Sequence, residues 1–209
     1  NQIIDDALKV IAKIYGYSGE IIELDKYIID LYKYNTIYAG ECYDHINSSK
    51  EIMDIFNNKD IEDNLEHHVS YANNNNISIK ANNFQFLIML PEINKEHLGW
   101  HQDSHYFDRG LNNKLSIVIW TPFNTTNTGY SGTLEMIEGS HLLGPIQHKK
   151  NNFTIRKKVN LDRRGTYYIE LDEKIKFYKK IKKETPSGNS IIFNSDLIHK
   201  TGQQNNDII

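Results

Sequence analysis

Three side chains of this sequence could together hold a metal ion: His101 and Asp103 in the stretch Trp100-His101-Gln102-Asp103-Ser104-His105-Tyr106, and His199 in Ile198-His199-Lys200-Thr201-Gly202. In an extended strand, side chains alternate faces. His101 and Asp103 would then point the same way, about 7 Å apart along the backbone. One imidazole and one carboxylate can fill two adjacent corners of a metal. The third ligand must come from elsewhere, and His199 is placed to supply it, because Pro186 to Phe193 reads as a turn feeding a second strand. Two histidines and a carboxylate on one face, with the other positions open, form the ligand set of non-haem Fe(II) oxygenases.

The other histidines read more plainly. His105 would share the strand face of His101 and Asp103. It could add a fourth ligand and make a zinc site, but lining a pocket with Tyr106 is the preferred reading. His141, in Gly139-Ser140-His141, is expected to serve the hydrogen bonding of a turn. His67 and His68 are neighbours and cannot share one helix face, so they read as a surface pair. His45, His97 and His148 attract no special role.

The elements that must position these residues follow from apolar periodicity. Residues 1 to about 75 read as helical: Ile4, Ala7, Leu8 and Ile11 fall at helical spacing, and Ile21, Leu24, Ile28, Leu31 and Tyr32 repeat the pattern. Ser48-Ser49 before Glu51 resembles a helix start, with Ile52, Ile55 and Phe56 as its buried stripe. Strand signals begin after the asparagine-rich turn at Tyr71 to Asn76. They cover Ile77–Lys80, Asn83–Leu90, the His101 stretch, Leu115–Pro122, Thr133–Ile137, Thr166–Ile169 and Ser190–Phe193. Short strands after a helical part predict a closed barrel or two-sheet jelly roll carrying helices on one face.

Composition narrows the function classes. A net charge of −3 gives no reason to expect nucleic acid or a membrane surface as partner. The basic stretch from Arg156 to Lys183, which includes Lys179-Lys180-Ile181-Lys182-Lys183, is interrupted by Asp172, Glu173 and Glu184 and reads as solvated surface. Cys42 is the single cysteine, so no internal disulfide can form, which suits a reducing, cytoplasmic setting. No apolar run reaches the roughly 18 residues of a membrane span, and no phosphate-binding glycine loop or nucleophile elbow is present.

Four blocks resemble, in order, the phytanoyl-CoA dioxygenase (PhyH-like) family of Fe(II)/2-oxoglutarate-dependent oxygenases. They are His101 to Phe107; Trp120-Thr121-Pro122; Gly132 to His141; and Gly188 through Leu197-Ile198-His199-Lys200-Thr201-Gly202. With the strand before them they span residues 84 to 209, and residues 1 to 75 match only in being helical.

The resemblance implies a mainly β protein with a helical N-terminal part. Its core would be a double-stranded β-helix (jelly roll, cupin-like) packed with helices, in a single oxygenase domain over 1–209 with the β core from about 76. It implies His101, Asp103 and His199 as the catalytic Fe(II) ligands, with 2-oxoglutarate and O2 as cosubstrates. Thr201 and Trp120 would contact or line the 2-oxoglutarate site, as would Gln102 and, more weakly, Gln85. The family's carboxylate-anchoring arginine falls about ten residues beyond the distal histidine. Arg109, Arg156, Arg163 and Arg164 are the chain's arginines and none lies there; truncation at Ile209 is expected, with arginine as the next residue.

The expected reaction is hydroxylation of a small metabolite, acyl-CoA-like or amino-acid-like, with succinate and CO2 as coproducts. Asp103 favours hydroxylation over halogenation, because related halogenases carry a small residue there. Loops 104–114 and 142–187 are expected to shape the substrate pocket; neither holds a motif that identifies the substrate, and oligomeric state is not legible. A cupin-like zinc hydrolase and a non-catalytic metal-binding barrel are the alternatives.

Overall fold

The computed structural model describes residues 2–57, 59–73, 84–88, 99–106, 116–126, 132–150 and 167–202. The chain divides into two compact units, Asn1–Ile88 and Met89–Ile209.

The first unit is helical: α1 (Gln2–Ile14), a 3-10 turn (Ile21–Glu23), α2 (Leu24–Tyr34), α3 (Thr36–Ser48), α4 (Lys50–Phe56) and α5 (Lys59–Asn73). Ile4, Ala7, Val10 and Ile11 form the buried stripe of α1, and Leu24 and Ile28 that of α2. Leu8, expected in the stripe, is only half-buried. Two short polar side chains start helices by accepting otherwise orphaned amide hydrogens: Asn35 from Tyr38 (3.2 Å) and Ser49 from Ile52 (3.4 Å). His67 and His68 are exposed on α5, as a surface pair should be.

The second unit carries the strands: β1 (Ile117–Trp120), β2 (Leu134–Ile137), β3 (Lys149–Lys150), β4 (Tyr167–Tyr168), β5 (Lys180–Lys183), β6 (Ile191–Asn194) and β7 (His199–Thr201), with a short helix α6 (Glu173–Lys176) before β5. All pairings are antiparallel, in a β5-β2-β7 sheet, a β1-β6 pair and a β3-β4 pair. The β7 edge is extended by His101, which bridges to His199, and the carbonyl of Trp100 accepts the amide of Ile169 just after β4. Side-chain alternation then sorts the two faces of the sheet. Leu134 and Met136 of β2 point toward β1 and β6, forming one core with Phe193 and Leu197 against Val118 and Trp120. Ile137 points the other way, into a second core with Ile169, Ile175 and Ile198.

Several expectations are corrected here. Helices and small antiparallel sheets share the chain, so it is mixed rather than clearly mainly β, and no closed barrel forms among the described residues. The His101 stretch is not a continuous strand. Extended backbone ends at Gln102, and Asp103–His105 form a 3-10 turn, so His105 does not share a strand face with His101. Residues 142–187, expected as loop apart from the strand at Thr166–Ile169, also contain β3, α6 and β5 among those described, and β4 (Tyr167–Tyr168) falls within that expected strand. The basic run is strand β5, with Ile181 turned inward and its lysines outward. The strand expected at Ile77–Lys80 and loop residues 107–114 lie outside the described residues, as does much of Asn83–Leu90, whose described part, 84–88, has no regular structure.

Gly202 closes β7 where a side chain has no room. Its amide donates to Thr133 O at 2.7 Å, and a Cβ would meet that same backbone oxygen at 2.9 Å. Gly40, inside α3, would have nothing within 4 Å of an added Cβ. Gly202→Ala should therefore destabilise the protein by about 1–3 kcal/mol. Gly40→Ala should stabilise it by up to about 1 kcal/mol through helix propensity. Chemical unfolding of the two variants beside the parent checks both signs.

Candidate metal centre

His101 and His199 face each other in an antiparallel bridge, each amide donating to the other's carbonyl at 3.0 Å. Residues opposed in this way place their side chains on the same face. The two imidazoles lie side by side, ring centroids 4.4 Å apart. Asp103, brought round by the 3-10 turn, sets Oδ1 3.6 Å from His101 Nε2 and Oδ2 3.5 Å from His199 Nε2. One ligand atom from each of the three residues lies within 4.8 Å of the others.

Both rings are held by the same local device. His101 Nδ1 lies 2.8 Å from Gly99 O, and His199 Nδ1 lies 2.9 Å from Leu197 O, each a carbonyl two residues back. A carbonyl only accepts, so Nδ1 carries the hydrogen in both rings, and each Nε2 lone pair is left toward the shared space with Asp103. That is the tautomer a metal ligand needs, with the ring oriented by a hydrogen bond behind it. Burial, reinforced by the neighbouring His101, pushes the His199 imidazolium down to about 4, so the ring is neutral at pH 7. Burial would raise the Asp103 carboxyl, but the two histidines beside it outweigh burial and hold the group below its usual value. Two imidazoles that present Nε2 and one carboxylate of this spacing fit a divalent first-row metal.

The surrounding fold fixes the set. Ser104 N donates to Ser195 O at 3.0 Å, and Ser104 Oγ bonds the Asp196 carboxylate, so the turn before β7 is tied to the turn bearing Asp103. Gly139, at φ 75°, adopts the left-handed conformation that favours glycine. It begins the turn that brings buried Ser140 Oγ to the amide of Ile198 at 2.8 Å, one residue before His199. The half-exposed His141 takes part in the turn's hydrogen bonding, as expected, through its carbonyl, which accepts from Gly144 N, while the side-chain bond to the approach of β7 is made by Ser140.

The remaining candidate residues fall in different places. Thr201 lies two residues beyond His199 on β7, opposite Leu134, and is half-buried. Trp120 ends β1 opposite Ile191 and packs on the core that includes Phe193, whose ring is 4.8 Å from His199. Gln102 is fully buried and its amide is committed to backbone. Nε2 donates to Gly144 O and Asp196 O at 2.8 and 2.7 Å, and Oε1 accepts from Ile146 N at 2.8 Å. Gln85 lies exposed in the first unit.

Tyr106 sits edge-on to His101, ring centroids 5.9 Å apart. Its hydroxyl donates to Tyr167 O at 3.0 Å and accepts from Tyr167 N at 3.2 Å. Burial raises that hydroxyl's pKa, keeping it a donor. His105 stacks on His148 at 4.1 Å and lies 4.7 Å from the ring of Tyr167. Nothing in the residue pattern had marked His148, because its partner is a backbone amide 46 positions away.

The buried His199 sets a pH dependence for the metal-free protein. Its proton leaves at about 4 in the folded state against an ordinary 6.5, so the unfolded chain binds more protons between those values. Stability should fall as pH drops through that window, by about 3 kcal/mol in total from this group. Unfolding of metal-free protein at pH 7 and pH 4.5 should show a smaller loss for His199→Gln than for the parent.

Comparison with known proteins agrees with the geometry. No curated protein and no solved structure matches the chain significantly. The family model described as Phytanoyl-CoA dioxygenase (PhyH) matches residues 29–208, a span that includes His101, Asp103, His199 and every strand above. The chain belongs to the phytanoyl-CoA dioxygenase family.

Proposed function

We propose that the protein is an Fe(II)- and 2-oxoglutarate-dependent dioxygenase that hydroxylates a small-molecule metabolite, with succinate and CO2 as coproducts. Its family is one of Fe(II)/2-oxoglutarate-dependent oxygenases. The observation that carries the reading is the convergence of two Nε2 lone pairs and one carboxylate at the bridge between His101 and His199. Iron bound there would supply oxygen activation coupled to decarboxylation of the cosubstrate.

The chain's own residues have the positioning work. His101 and His199 offer Nε2 donors whose directions are fixed by the carbonyls of Gly99 and Leu197. Asp103 supplies one negative charge and fills the corner that a halide would otherwise need, which favours hydroxylation over halogenation. The three groups come from one edge of the sheet and would hold a metal from that side, leaving its remaining positions for cosubstrate and O2. Strand alternation puts Thr201 on the same face as His199, where its hydroxyl would bond the far carboxylate of 2-oxoglutarate, with Trp120 lining that pocket. Phe193 against His199 gives one flank of the site an apolar surface that disfavours bulk water. Gln102, whose amide is spent on backbone partners, acts through the loops it holds. His105 and Tyr106 stand on the substrate side in this reading. A double-stranded β-helix is the architecture proposed for the whole strand region: the sheet and the β1-β6 pair enclosing one core are what supports it.

Anaerobic addition of Fe(II) and then 2-oxoglutarate to metal-free protein should produce the weak visible charge-transfer band of a chelated complex. Asp103→Ala and His199→Ala should each abolish it. Iron-loaded parent protein without the band would overturn the assignment and favour a zinc hydrolase or a non-catalytic barrel.

A further inference from the structure

His148 supplies no metal ligand, yet it touches the ligand-bearing segment at its centre. It is buried, and its Nδ1 lies 2.9 Å from Ile146 O, so Nδ1 carries the hydrogen and Nε2 is an acceptor. This is the tautomer of His101 and His199, obtained by the same bond to a carbonyl two residues back. The difference lies at the other nitrogen. His148 Nε2 accepts the amide hydrogen of Gln102 at 3.0 Å, and Gln102 is the residue between His101 and Asp103. The Gln102 side chain in turn bonds Ile146 N and Gly144 O. Side chain and main chain of one residue are therefore both held by one short segment, 144–148, with Asp196 O taking the second side-chain hydrogen. That segment also packs the His148 ring on His105, two positions beyond Asp103 and nearly parallel at 16°.

We propose that His148 is a positioning residue of the metal centre. By accepting the Gln102 amide it fixes the His101–Gln102 peptide from its N–H side, and so the start of the turn that sets the angle at which Asp103 meets the two imidazoles. The His101–Gln102 peptide is held on its carbonyl side by His199 N in the bridge, and extended backbone ends at Gln102, so among the described residues its N–H is held by His148 rather than by a strand. Without an acceptor it would be a buried unsatisfied donor, able to relax only by turning the His101–Gln102 peptide, whose carbonyl accepts from His199 N at 3.0 Å in the bridge. Hydrogen-bond partners one shell behind a metal ligand commonly carry about 10–100-fold in metal affinity. The inference rests on the metal-site reading above, and its test separates the two.

Co(II) is a suitable probe, because its visible d–d bands report ligand geometry and its affinity is measurable without turnover. The parent protein should bind one Co(II), and His101→Ala should not; parent protein that binds none sinks the metal site itself. Given parent binding, His148→Phe keeps a stacked ring but removes the acceptor. It should bind Co(II) about tenfold or more weakly and with altered bands, whereas His148→Gln, which can offer an amide oxygen to Gln102 N, should recover much of both. Circular dichroism identifies folded variants. Should His148→Phe fail to fold, His148→Leu and His148→Gln are compared in its place. Parent-like affinity and bands in folded His148→Phe or His148→Leu would overturn the proposal. So would equal losses in these and in His148→Gln, since that pattern marks packing rather than an acceptor.

Discussion

The site depends on one pair of backbone hydrogen bonds, those exchanged between His101 and His199. They bring two histidines far apart in sequence onto one face, ring beside ring, and they close the open edge of β7 at the same time. Each hydrogen bond in such a pair contributes only about 1 kcal/mol net. What makes the pair decisive is that everything else is referred to it. Asp103 reaches the two Nε2 atoms because its 3-10 turn begins two residues after one partner. Ser140 and Ser195 reach the other partner's approach because β2 and the β6–β7 turn are already in register with it.

The other face of the same sheet, the one that also carries Ile137, is built differently and serves the same end. Glu135, opposite Lys200 on β7 and Lys182 on β5, pairs with both, at 3.3 and 3.0 Å. A mostly buried carboxylate shared by two flanking lysines ties three strands across the direction in which β7 could slip. The lysine pairs and their hydrogen bonds, set against the cost of burial, hold Glu135 ionised. A one-residue slip would turn His199 away from Asp103 and Lys200 inward, so register and ligand set stand or fall together.

Much of this was legible in the sequence because it is local. The His-x-Asp spacing, the glycine-serine turn and the later histidine on a strand are patterns of a few residues each. Four apolar runs fell where β1, β2, β4 and β6 are found. What was not legible depends on partners distant in the chain. Alternation could not show that the strand breaks at Asp103, since the break is stabilised by Ser195 and Asp196. β5 was hidden because four of its positions hold three lysines, and only Ile181 faces the core. His148 was unreadable for the same reason: the bond that gives it a role is to a main-chain amide, which has no sequence signature.

The central claim is that one metal ion sits between these three side chains, bound through Nε2 of both rings. Anomalous diffraction from crystals loaded with Fe(II) under anaerobic conditions tests it most directly. The account predicts a single peak about 2.1 Å from His101 Nε2, His199 Nε2 and one Asp103 oxygen. A peak at another cluster, or one that omits either ring, would contradict it.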